Sequence, residues 1–355
     1  MTASYRPTSV RGSPAATPIS SWLVRSSRAG NDSLEDGSEI SLADYQAGWL
    51  AAPARSTVMA TLLESGRYPE IERSTNLRDL VEAEDFAVPW WYRSGFVVDG
   101  EARTSLRLEG VISKADLFVN GSPVAGADEI AGAYAVSTFD VSELVQQGDN
   151  ALALRVHPGT PLEDFTINWW DWNQPPPDFN LGVWRDVVIQ RTGVVRLDTP
   201  LVTSTLPLPV LSPAELTVSV DLANLSDAPV EAELTGAVNG HGTSARFRQQ
   251  VSLAAGAREK VIVSAVDSPE LRIEQPALWW PIGEGTPDRY ELDLAVSVDG
   301  VPCDARAISF GIRTVSSEIE PGDGRRFLIN GRPLQIVGGG WSPDLFLRHD
   351  PVRTA

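Results

Sequence analysis

From Trp90 onward, apolar side chains in this chain recur at every second position, and that period constrains the fold more than any other feature. Leu106 and Leu108 alternate with polar neighbours, and Leu152, Leu154 and Val156 recur at every second position in ALALRV. A strand sends successive side chains to opposite faces, so the pattern predicts half-buried strands. Asn120-Gly121 stands between two apolar runs in ADLFVNGSPV. These residue types tolerate the paired positive φ angles of a type I′ turn, so a hairpin is expected there. Strict alternation returns in LTVSVDL (Leu216, Val218, Val220, Leu222), in KVIVSAV, and in LDLAVSV before Asp299-Gly300. Such strands, joined by polar turns with no helices between them, describe an independent antiparallel sandwich with limits near residues 196 and 315.

Helical spacing is confined to two short segments. Val58, Met59, Leu62 and Leu63 fall on one helical face, and so do Leu77, Leu80 and Val81, with Ser56 and Thr75 placed to cap them. They read as small decorations on a β fold. The first eighteen residues are rich in Ser, Thr, Pro and Ala without periodicity, which suits a flexible tail. With 355 residues, two domains or slightly more are expected, and the 29 glycines and 26 prolines fall as punctuation between apolar runs.

Composition narrows the function classes. Lys and Arg number 29 against 47 Asp and Glu, a formal charge of -18, and a field of that sign repels nucleic-acid phosphates. No stretch approaches the ~18 consecutive apolar residues of a membrane helix, so neither nucleic acid nor membrane is an expected partner. The single cysteine, Cys303, excludes an internal disulfide framework and reads as an inert packing residue. His157, His241 and His349 offer no metal-ligand spacing, so neither a metal nor another cofactor is implied. The opening residues carry arginines and prolines without an apolar core, so no secretory signal is visible. A cytoplasmic location is the expectation, with secretion as the alternative.

The final segment differs from both sandwiches. RRFLINGRPLQIVGGGW contains a second Asn-Gly hairpin at Asn330-Gly331, and its second strand, LQIV, is apolar throughout. Such a run suits a strand covered on both faces, as in a parallel barrel.

The candidate chemistry lies in FTINWWDWNQPPPDFNLGVWRDVVI. That stretch holds Trp169, Trp170, Trp172 and Trp184, four of eleven tryptophans, around Asp171, Asn173 and Asp178. Flat rings beside carboxylates and amides are the materials of a sugar site: rings cover C–H faces while acceptors read hydroxyls or an amine. Core packing is the default role for any one of these tryptophans. The prolines Pro175 to Pro177 mark a rigid surface loop, which favours Asp171 and Trp172 as contact residues. Trp279 and Trp280, before Pro281, read instead as anchors of a sandwich end.

In order, WWYRSGF, ADLFVNG, INWWDWNQPPPDFNLGVWRDV, LWWPIGEGTPDRYELDL, FGIRTV and FLINGRPLQIVGGGWSPDLFLR resemble glycoside hydrolase family 2. The nearest subgroup is similar to the exo-β-D-glucosaminidases, which remove glucosamine from the non-reducing end of chitosan. The resemblance runs from about Ile19 to the last residue. It implies an all-β chain: a jelly-roll β-sandwich, an immunoglobulin-like β-sandwich, then the truncated start of a (β/α)8 barrel. The expected divisions are a tail over 1–18, a jelly-roll sugar-binding domain over 19–195, an immunoglobulin-like sandwich over 196–315, and the first barrel hairpin and strand over 316–355. The retaining mechanism of the family uses two glutamates about 5 Å apart on later barrel strands, so no catalytic residue is expected here and the chain alone should be inactive.

By motif position, the resemblance to the related β-mannosidases makes Asp171 the aspartate that holds the terminal sugar, with Trp172 and Asn173 beside it. Trp170 and Gln174 depart from many relatives. Residues at the C-terminal ends of barrel strands face the active site, which makes Trp341 and Asp344 candidates for the pocket wall. The implied partner is a carbohydrate, chitosan or another β-linked oligosaccharide. A β-mannosidase-like glycosidase or a stand-alone carbohydrate-binding module are the alternative readings.

Overall fold

The computed structural model describes residues 7–11, 13–28, 48–160, 163–164, 174–322, 324–340 and 342–348. The chain forms two compact units, one of residues 1–191 with 341–355, the other of residues 192–340.

The first unit is a two-sheet sandwich. Its larger sheet has ten strands, with Ser21–Ser26, Trp90–Val98, Gly148–His157 and Val111–Val119 side by side at its centre. Ser137–Asp140, Arg103–Leu108, Val187–Thr192 and Ala15–Pro18 form the smaller sheet. Trp22, Tyr92, Phe96, Leu106, Leu108, Leu117, Leu154 and Ile189 fill the core between the two. The Asn120-Gly121 turn is present, with φ of 49° and 79°. The Asn120 side chain ties that turn inward, donating to the Leu144 carbonyl at 2.8 Å and accepting from the Ala151 amide at 2.8 Å.

Two expectations change here. Within the expected flexible tail, Thr8–Val10 pairs with Trp90–Val98 and Ala15–Pro18 pairs with Val187–Thr192, their backbone bonds holding both in the sheets. ALALRV reads as a half-buried strand, yet Ala151, Leu152, Ala153 and Leu154 are all buried. The outward face of the large sheet carries its own apolar patch, in which Trp91, Phe118, Ala151 and Ala153 pack with Trp49. The Arg155 guanidinium lies 5.7 Å over the Trp91 ring, and Arg155 and His157 both meet Asp116, at 2.7 and 2.8 Å. The small alanines on that face allow this close cover.

The two helices form where their spacing places them, as α1 (Val58–Glu64) and α2 (Asn76–Leu80). The cap of α1 is Thr57, one residue later than the expected Ser56; the Thr57 Oγ1 accepts from the Ala60 amide at 3.1 Å. The Ser56 hydroxyl instead bonds the Thr61 hydroxyl at 2.8 Å. Thr75 stands at the N-cap position of α2 without a side-chain cap bond, its hydroxyl being turned to the Asp79 carboxylate.

The second unit is also a sandwich. Val195–Thr205, Ala214–Asn224 and Arg258–Ser264 make one sheet with the short Arg272–Ile273. Thr243–Leu253, Val230–Gly240, Tyr290–Val298 and Val301–Phe310 make the other. The alternating residues Leu216, Val218, Val220 and Leu222 point into the shared core, as do Leu292, Leu294 and Val296. Cys303 packs in this core as a free thiol. Trp279 and Trp280 lie under Arg313 at 4.7 Å and Arg332 at 4.5 Å, consistent with an anchoring role. A three-stranded hairpin follows, of Val315–Ile319, Arg325–Ile329 and Arg332–Leu334, turned by Asn330-Gly331 with φ of 50° and 75°. The expected doubly covered strand LQIV is not seen: the strand ends at Leu334, and Ile336 and Val337, with no neighbouring strand to cover them among the described residues, are 65% and 87% exposed.

Candidate functional site

Asp171, Trp172, Asn173 and Trp341 lie outside the described residues. The structure does describe the limb that follows the first three, Gln174 to Trp184, and the turn that follows the fourth, Asp344 to Arg348. Both fasten to one corner of the first sandwich, where the strand Ser56–Thr57 enters α1.

A helix start leaves amide groups without partners in its own ladder. Here the first three are all satisfied from outside that ladder. The Val58 amide donates to the Leu181 carbonyl at 2.8 Å, the Met59 amide to Asp178 Oδ2 at 2.8 Å, and the Ala60 amide to Thr57 Oγ1 at 3.1 Å. The other Asp178 oxygen accepts from the Asn180 amide at 2.9 Å, which holds Phe179 and Asn180 in left-handed backbone with φ of 49° and 60°. Non-glycine residues adopt that conformation at a cost, so consecutive examples mark a tightly determined turn.

Asp178 is 3% exposed. Burial disfavours its charged form and pushes the carboxyl up to about 7, against the opposing pull of its amide donors. Beside it, the Tyr92 hydroxyl donates to the Ser56 carbonyl at 3.0 Å, and burial raises that phenol well above its ordinary value. Gly182 closes the packing: a Cβ there would sit 2.6 Å from both the Ser56 carbonyl oxygen and the Tyr92 hydroxyl. Only glycine fits between those groups.

The turn 344–348 packs on the same corner. Thr57 Oγ1 donates to the Phe346 carbonyl at 2.8 Å, and the Phe346 ring is 1% exposed within the first core. Asp344 shapes this turn from inside. Its Oδ1 accepts from the Phe346 amide at 3.0 Å and the Arg348 amide at 3.2 Å, while its Oδ2 takes the Arg348 guanidinium at 2.6 Å. Burial would raise the Asp344 carboxyl, but the bonds from Arg348 outweigh it and hold the group below its usual range. Arg348 also meets Glu72 and covers the Phe346 ring at 5.4 Å. The structure thus gives Asp344 a turn-holding role and brings its segment to the corner that also holds the limb after Asn173.

Of the clustered tryptophans, Trp184 is described and serves packing. Its Nε1 donates to the Ala133 carbonyl at 2.6 Å, its ring meets Tyr134 edge-on at 5.2 Å, and it packs, as Leu347 does, against the buried pair Ile112 and Ala133. Tyr134 itself is 52% exposed. Sequence reasoning missed Thr57, Tyr134 and Phe346, whose roles rest on partners distant in the chain. Among the described residues, no cluster of three or more His, Cys, Asp or Glu side chains could hold a metal ion.

Comparison with known proteins places this geometry. Residues 22–166 match the glycosyl hydrolase 2 galactose-binding domain-like family, and residues 195–313 match glycosyl hydrolases family 2. The chain is 42% identical over 348 residues to an exo-β-D-glucosaminidase of Streptomyces avermitilis, covering 97% of this chain and 38% of that protein. A mannosylglycoprotein endo-β-mannosidase of Lilium longiflorum is 27% identical, covering 83% of this chain and 34% of that protein. Among solved structures, the exo-chitosanase CsxA of Amycolatopsis orientalis superposes with a TM-score of 0.86 at 40% identity, covering 96% of this chain and 38% of that one. The chain therefore spans well under half the length of these relatives. Two successive sandwiches that carry the family's motifs in order, matched across both domains, establish that the chain belongs to glycoside hydrolase family 2.

Proposed function

We propose that this chain is the substrate-gripping, non-catalytic front of a retaining exo-β-D-glucosaminidase that acts on chitosan oligosaccharides. The observation that carries this reading is the gradient of similarity: 42% identity to a glucosaminidase over nearly the whole chain, against 27% to a mannosidase. Asp171, Trp172 and Asn173, with Trp341, are the proposed sugar-contacting residues. Asp344 contributes by shaping the turn that follows Trp341 in sequence. An ionised aspartate can accept from sugar hydroxyls and also stabilise the glucosamine ammonium, a charge-assisted contact worth roughly 1.5–3 kcal/mol. The bond-breaking carboxylates belong to a barrel outside these residues, so the chain alone has no acid/base or nucleophile pair.

The test compares the chain with a longer form that includes the barrel, on chitosan oligosaccharides and aryl β-mannosides in parallel. The longer form should release glucosamine from non-reducing ends and prefer it to mannose, while residues 1–355 alone show no turnover. A preference for the mannoside would support the β-mannosidase alternative. Turnover by the chain alone, lost on mutation of one of its own residues, would overturn the division of labour.

A further inference from the structure

Resting on that reading, we infer that Thr57 is a positioning residue for substrate binding: its hydroxyl helps fasten to a single corner of the first sandwich the two stretches, 174–182 and 344–348, that lead in sequence to the proposed sugar-contacting residues. Thr57 is fully buried, and its one oxygen serves two partners. It accepts from the Ala60 amide, which sets the first turn of α1 and so aims the Val58 and Met59 amides at Leu181 and Asp178. It donates its own proton to the Phe346 carbonyl, 289 residues away in sequence. Contact of apolar surfaces would let these segments slide, whereas hydrogen bonds of fixed direction set their register.

Both segments lead to proposed contact residues by short routes. Pro175, Pro176 and Pro177 lie between Asn173 and Asp178, and their locked φ angles transmit a shift at Asp178 rather than absorb it. Asp344 stands three residues after Trp341 in a turn braced by Arg348 and Glu72. Loss of the Thr57 hydroxyl therefore loosens both segments together. Thr57 touches no substrate in this scheme and acts through the segments it holds.

The experiment uses the full-length enzyme with Thr57→Val, which keeps the shape and deletes the hydroxyl, and Thr57→Ser, which keeps the hydroxyl. Steady-state kinetics on chitosan oligosaccharides and amide hydrogen exchange are measured on both. Thr57→Val should raise KM by about tenfold, the loss of one well-placed buried bond, with a smaller change in kcat. Exchange should quicken in 174–182 and 344–348 together, and Thr57→Ser should restore both readouts. A lowered melting temperature with unchanged KM, or faster exchange in only one of the two stretches, would overturn the inference. A wild-type enzyme that releases no glucosamine would sink the glucosaminidase reading instead, and the paired exchange would then decide the Thr57 role alone.

Discussion

Asp178 shows how far a residue's chemistry depends on surroundings that its sequence neighbours do not reveal. It follows three prolines in a stretch that reads as exposed loop, yet it is buried against α1 with two amide donors. Its carboxyl is pushed from 3.8 up to about 7 by burial, so between those values the folded protein holds a proton that the unfolded chain has released. Stability from this group is present below the unfolded value and falls as pH rises through the folded one. Wild type should therefore lose stability relative to Asp178→Asn at on the order of 1 kcal/mol per pH unit across that window. Denaturant unfolding of both proteins across the range measures it; a difference independent of pH would mean that the carboxyl stays ionised in the fold. The sequence marked Asp178 only as one acid in an aromatic cluster, since the residues that bury it come from elsewhere in the chain.

At the scale of elements, local chemistry was legible and long-range cover was not. Asn120-Gly121 and Asn330-Gly331 both turn their hairpins, because the positive φ angles are a property of the two residues themselves. Both helices were visible from spacing, but the cap of α1 falls on Thr57 because Ser56 is drawn to Thr61. The doubly covered strand at Ala151 to Leu154 was missed, since alanine alternating with leucine gives no polar face to read and the covering residues, Trp49, Trp91 and Phe118, are distant in sequence. Gly182 was likewise silent until Ser56, Thr57 and Tyr92 converged on it. Its φ is 150°, and an added Cβ would also lie 2.7 Å from the Thr57 Cα. Gly182→Ala should cost about 2 kcal/mol by overpacking a rigid site and lower the melting temperature by roughly 4–8 °C. An unchanged melting temperature would show that the corner yields, and would weaken its role as a fixed anchor.

For the whole molecule, the order of motifs gave both sandwiches, because each carries its own alternating core and turn residues. The placement of the last residues was less legible. GGGWSPDLFLR reads as the end of a barrel strand, and nothing local indicates that Phe346 buries in the first core and bonds Thr57. Of the candidate site, Asp344 has its carboxylate engaged by Arg348 and by its own turn, while Thr57 and Tyr134 had no sequence signal that marked them. The central claim, that this chain grips the sugar on which a later barrel acts, bears most directly on Asp171. The deciding measurement is kcat/KM for release of non-reducing-end glucosamine by the full-length enzyme, wild type against Asp171→Asn. Removing the charge while keeping the shape should lower kcat/KM by about ten- to a hundredfold, the range set by one charge-assisted contact, with the fold intact. A lowered melting temperature with unchanged kcat/KM would make Asp171 a loop cap and contradict the claim.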